Sequence, residues 1–220
     1  MTATVLKPMT MTLSADPEGG EGGEELAEAL SMLGYKDITL KAEGLTSYDP
    51  DADIVSYADG KNYFELVDGA RISYGGKLGG FSAYSQAAAA MNTQYGPDPD
   101  AMQEAFSKLT VHDFSLSIDD NSLVDRLFTL AASQSGEDPQ QMRNQTVMMM
   151  GMAPMMAAQS GVDSALVTEA IGALTEFIKE PGTLTISLAP SSPLNIAELV
   201  AAGDPSALTK DALGFSATHK

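Results

Sequence analysis

Four kinds of residue in this chain have types and spacings that could do chemistry: two histidines, a serine in a glycine-rich turn, three alternating aspartates and a run of methionines. A histidine base needs a serine nucleophile and an orienting carboxylate within hydrogen-bond reach. The histidines are His112, inside the alternating stretch LTVHDFSLSIDD, and His219, next to the last residue. Gly80-Phe81-Ser82-Ala83-Tyr84 comes nearest to a G-x-S-x-G elbow but ends in Tyr84. A hydrolase using His112 is therefore the minor reading, and a surface or edge-strand histidine the ordinary one. Cysteine is absent, which excludes disulfides, thiol catalysis and zinc–thiolate sites.

Asp49, Asp51 and Asp53 have the rhythm of a calcium loop. An EF-hand requires Gly at the sixth position and a bidentate Glu at the twelfth, and here those are Ile54 and Gly60. What remains is a looser calcium site or a plain Asp/Pro turn. Tyr74-Gly75-Gly76-Lys77-Leu78-Gly79-Gly80 lacks both G-x-x-x-x-G-K-[ST] and G-x-G-x-x-G, so it reads as a turn from strand to helix. No cofactor is expected.

The stretch from Gln141 to Gln159 holds seven of the thirteen methionines: Met142, Met148, Met149, Met150, Met152, Met155 and Met156. Thioethers are soft enough for copper(I), but such sites add His or Cys and none is near. On one helix Met148, Met152, Met155 and Met156 share a face, with Met149 beside it, so the helix is apolar nearly all round. Methionine either fills an irregular core or presents an adaptable apolar surface. On the second reading Met148, Met149, Met152, Met155 and Met156 bind a hydrophobic, lipid-like ligand or a protein partner. Gly151 and Pro154 predict a kink in this helix.

Thirty acidic against twelve basic residues give a net charge of -18, which argues against nucleic acid and anionic membrane surfaces as partners. The longest apolar run, Val147 to Ala158, is interrupted by Gly151 and Pro154 and is too short to span a bilayer, so no transmembrane segment is expected. The first residues show no signal-peptide pattern and already alternate like a strand, an expectation that fits a fragment of a longer protein.

The elements that must position these residues follow from periodicity. MTATVLKPMTMTLS, KDITLKAEGLTSY, IVSYADGKNYFELVDGARISY, LTVHDFSLSIDD, LTISLAP and LGFSATH alternate as strands, with Asp59-Gly60 and Asp68-Gly69 as hairpin turns. Helices are predicted over Glu24 to Leu33, after Phe81, after Pro97, and over Ser122 to Ser135, Pro139 to Ala158, Asp163 to Lys179 and Ile196 to Ala201; SADPEGGEGGEE (Ser14 to Glu25) is an acidic loop. In Asp163 to Lys179, Leu166, Val167, Ala170, Ile171, Leu174, Phe177 and Ile178 form one stripe. Strands with one apolar and one polar parity belong to an antiparallel sheet with one buried face. The fold class is α+β: six to eight antiparallel strands with a helical block packed on one face. Residues 1–220 read as one domain, with a possible sub-boundary near Gly80.

Several short patterns carry a family likeness: Asp120-x-Ser122-Leu123-x-x-Arg126, Pro181-Gly182-Thr183-Leu184, Pro190-x-x-Pro193-Leu194, and Ser47-Tyr48-Asp49-Pro50 ahead of Asp68-Gly69. With them the chain resembles uncharacterised proteobacterial envelope proteins distantly similar to the AsmA and YdgA-type groups. The resemblance implies a domain of the periplasm or cell envelope, without a known reaction, that acts near lipids. Within it Asn121 or Ser122 reads as a helix cap, and Arg126 as a partner for Asp119, Asp120 or Asp125. Three functions are consistent with all this: a non-enzymatic envelope protein binding a lipid-like ligand or a protein through the Met-rich face, a purely structural module of a longer envelope protein, and the hydrolase.

Overall fold

A computed structural model describes residues 2–14, 28, 31–35, 37–90, 99–159, 161–195, 197–198 and 208–220. In chain order the elements are β1 (Thr2–Ser14), β2 (Asp37–Asp49), β3 (Ile54–Leu66), β4 (Ala70–Gly79), α1 (Phe81–Ala90), α2 (Pro99–Lys108), β5 (Thr110–Asp120), α3 (Leu123–Ser135), α4 (Pro139–Met150), α5 (Ala153–Gln159), α6 (Ser164–Lys179), β6 (Thr183–Leu188), β7 (Leu194–Asn195), α7 (Lys210–Leu213) and β8 (Phe215–His219). The eight strands form one antiparallel sheet in the order β1-β2-β3-β4-β5-β6-β8, with β7 beside β5. This is the α+β architecture expected from the alternating strands. The acidic loop lies outside the described residues except for Ser14, and so do most of the Glu24–Leu33 and Ile196–Ala201 helices.

Register turns period two into two faces. Leu40 pairs with Leu66, Phe64 with Ile72, Ile72 with Ile118, and Ile118 with Leu184, so one face is apolar across the sheet. The opposite parity pairs Lys41 with Glu65, Ser73 with Ser117, and Ser117 with Thr185, whose hydroxyls lie 2.8 Å apart. Helix α6 covers the apolar face at its C-terminal end: Ala173 and Phe177 pack on Leu184 and Ala217, with Ile118, Leu174, Ile186 and Phe215 around them. At the far end of β2, α1 and α2 attach through a chain of rings, Tyr48–Phe81–Tyr84–Phe106, with centroids 6.3, 6.0 and 5.6 Å apart.

Asp59-Gly60 is not a hairpin turn. β3 runs straight through it, and the β3–β4 register shifts between Tyr57 and Asn62. Gly60 takes φ 68°, the left-handed value a bulge accepts at no side-chain cost. The bulge survives in the interior because Asn62 serves its backbone: Oδ1 accepts from Leu45 N at 2.9 Å, and Nδ2 donates to Leu45 O at 3.2 Å and Ala58 O at 2.8 Å. Asp68-Gly69 is a turn as expected, with Asp68 at φ 61° and Gly69 N donating to Leu66 O at 2.9 Å.

Candidate functional site

The Pro139–Ala158 helix is two helices. Asp138 caps α4 by accepting from Gln140 N at 2.9 Å and Gln141 N at 3.0 Å. The expected kink is a complete break at Gly151 and Met152, after which Pro154 sits in the first turn of α5, where its missing N–H leaves nothing unpaired. The residue of α4 that is buried is Arg143, which pairs with Asp125 of α3, donates to Lys179 O at 3.3 Å and lies 5.0 Å from the Phe128 ring. Arg143, Thr146, Val147 and Met150 form the inward stripe. Met142 is half-buried, and five methionines face out: Met148, Met149, Met152, Met155 and Met156 are 54–75% exposed. Core filling does not describe these five.

A second apolar surface lies on the sheet, where no helix was expected to be missing. Met9 and Met11 of β1, Leu40 and Ala42 of β2, Phe64 and Leu66 of β3, Ala70 and Ile72 of β4, and Leu123 at the start of α3 line a trough of about 480 Å³. Met9 and Phe64 are each 60% exposed. Lys41 and Glu65 belong to the stretches of β2 and β3 that floor it, but by register their side chains, paired at 3.3 Å, lie on the opposite face of the sheet. Each strand had displayed only a half-apolar pattern, which predicts burial under helices. The trough exists because α6 docks on β6 and β8 and leaves this corner open among the described residues. Its sequence signal was the apolar parity shared by Met9 and Met11, Leu40 and Ala42, Phe64 and Leu66, and Ala70 and Ile72.

The aspartates build a turn. Asp49 Oδ1 accepts from Asp51 N at 3.0 Å, while Asp53 accepts from Tyr48 Oη and Ser82 N at 2.9 Å and from Ser82 Oγ at 2.8 Å, tying the β2–β3 turn to the start of α1. Among the described residues no group of three or more His, Asp or Glu side chains converges as a metal site. Partial burial pushes the Asp53 carboxyl up, but the bonds from Ser82 and Tyr48 outweigh it and hold it below the ordinary carboxylate range. A lowered folded value gives stability that is present above the unfolded value, about 3.9, and lost as pH falls through the folded one. The melting temperature is thus expected to drop less between about pH 6 and pH 3 in Asp53→Asn than in the unmodified protein. Equal drops would show that this carboxylate contributes nothing to acid sensitivity.

His112 is on β5 with its Nε2 against the Gly79 backbone. Among the described residues no hydrogen bond joins it to a serine hydroxyl or a carboxylate, so the geometry of a triad is missing there. Gly76 takes φ 135°, and a Cβ on it would collide with the Asp113 carbonyl; this glycine lets β4 approach β5 closely. Ser122 precedes α3 but does not cap it with its side chain; Asp120 Oδ1 does, accepting from Val124 N at 3.0 Å. Ser122 donates instead to Asp68 O. Arg126 pairs with none of the three expected aspartates. It donates to Ser122 Oγ at 2.9 Å and Leu33 O at 2.8 Å and stacks 4.3 Å over Tyr35, because Arg143 already holds Asp125.

No helix among the described residues is long and apolar enough to cross a membrane. A family model described as "Uncharacterized protein" matches residues 63–220, from the middle of β3 to the end of β8. Neither the curated proteins nor the solved structures contain a match to the chain.

Proposed function

We propose that this chain, which belongs to the uncharacterized protein family matched over residues 63–220, is a non-catalytic envelope protein that holds a lipid-like ligand in the trough over β1 to β4. The observation that carries this reading is a concave surface of about 480 Å³ with almost wholly apolar walls, a size ordinary for small-molecule sites. The methionines of α4 and α5, more than half exposed, cannot enclose a small ligand, so the trough is the better seat for it. Each methylene that leaves water there contributes about 0.8 kcal/mol. A net charge of -18 favours taking up single molecules over resting on an anionic bilayer. The envelope setting is supported by the resemblance of the Asp120–Arg126 and Pro181–Leu184 patterns.

A polyene fatty acid that becomes fluorescent on leaving water tests the reading. Phe64→Glu should weaken its binding by at least about tenfold without lowering the melting temperature, since the side chain is 60% exposed. Absence of binding to the unmodified protein, or equal binding by the variant, would leave a purely structural module of a longer envelope protein as the better description.

A further inference from the structure

The outward methionines have no role in the trough, and the exposed charges ahead of them on α4 are acidic. From Glu137 to Asp163 the charged residues are Glu137, Asp138, Arg143 and Asp163. Arg143 is buried and neutralised by Asp125. Glu137 and Asp138 are exposed, and Asp163, at the start of α6, holds its carboxylate low through bonds from the Lys210 and Ala165 amides. The exposed charges at the α4 end of this stretch are therefore acidic, whereas at the other end Lys210 lies beside Asp163. In sequence Met148, Met149, Met152 and Met155 follow Glu137 and Asp138 along α4 and into α5, 54–75% exposed, across the break at Gly151 that lets two short helices present thioethers in different directions.

Flexible, polarisable side chains suit a surface that must adapt to its partner's shape. Acidic flanks select the partner's charge, because like charges at a rim repel and opposite ones steer. We infer that the α4–α5 surface docks an amphipathic helical segment of a partner protein, with its apolar stripe on Met148, Met149, Met152 and Met155 and basic residues toward Glu137 and Asp138. The inference is independent of the lipid-like ligand, because it uses different elements of the fold.

A short leucine–lysine amphipathic peptide serves as probe, with a scrambled peptide of the same composition and a leucine–glutamate counterpart as controls. Binding is read by fluorescence anisotropy at about 0.15 M salt, where long-range attraction is largely screened. The amphipathic basic peptide should bind the full chain and gain helicity in circular dichroism, while both controls bind at least about tenfold more weakly. The uncharged triple variant Met148→Gln, Met152→Gln, Met155→Gln should lose at least about tenfold in affinity with an unchanged melting temperature. Phe64→Glu should leave peptide binding intact, which separates this site from the trough. Equal binding of the scrambled peptide, or of the amphipathic peptide to the triple variant, would reduce the effect to net charge and overturn the inference. So would equal binding of the acidic peptide, the absence of binding, or binding to neutral lipid vesicles in place of the peptide.

Discussion

Asn62→Ala is expected to lower the free energy of unfolding by about 3 kcal/mol or more, although Asn62 touches no candidate ligand. The side chain is 1% exposed and makes three hydrogen bonds to backbone around the β3 bulge, at Leu45 of β2 and Ala58 of β3. Removing it strands one amide and two carbonyls where water has little access, each costing about 1–3 kcal/mol when left unpaired. The cavity adds to the loss. Asn62→Asp should also destabilise, because a carboxylate keeps the bond from Leu45 N but cannot donate to Leu45 O or Ala58 O. Denaturant midpoints of the two variants check this. A shift below about 1 kcal/mol for Asn62→Ala would mean that the bulge relaxes or water fills it.

Asp125→Ala is expected to cost about 2–3 kcal/mol, more than Arg143→Met at the other end of the same pair. The asymmetry follows from burial: the Arg143 side chain is 10% exposed and that of Asp125 66% exposed. Taking away the carboxylate leaves a cation inside the protein without a counter-ion, whereas taking away the guanidinium leaves a carboxylate that water can solvate. The figure sits below the usual range for a fully buried pair because solvent already screens the Asp125 side. Methionine keeps much of the packing against Phe128, losing mainly the bond to Lys179 O. Urea unfolding of the two variants would read the order directly, and a reversed order would show that Arg143 acts through packing and its bond to Lys179 O. In either variant the orientation of α4 is at stake, and with it the outward methionines.

Much of the architecture was legible in local patterns. Alternation in DITLKA, ARISY, FSLSI and TISL marks strands, since period two places consecutive side chains on opposite faces whatever the neighbours are. The stripe on α6 foretold its packing, with Phe177 in the core. Gly151 and Pro154 foretold a kink, because a proline lacks the donor that would continue the helix, and the structure goes further to a break. The Asp59-Gly60 signal misled for a physical reason. That dipeptide favours a reversal, but Asn62 satisfies the backbone of a bulge and lets β3 continue to Leu66.

The candidate surfaces were legible only as apolar residues, without their destination. A run of methionines is equally compatible with core and surface; it faces out here because Arg143, on the same helix, pairs with Asp125 of α3 and turns the other side of α4 inward. Phe64, Met9 and Met11 carry an ordinary buried-face pattern. They line an open trough because α6 docks against β6 and β8 and does not reach them. What the sequence by itself determined is therefore the set of elements and the apolar parity of each, which depend on nearest-neighbour geometry. Which apolar faces meet one another and which remain open is a competition among long-range contacts, and only the tertiary structure decided it.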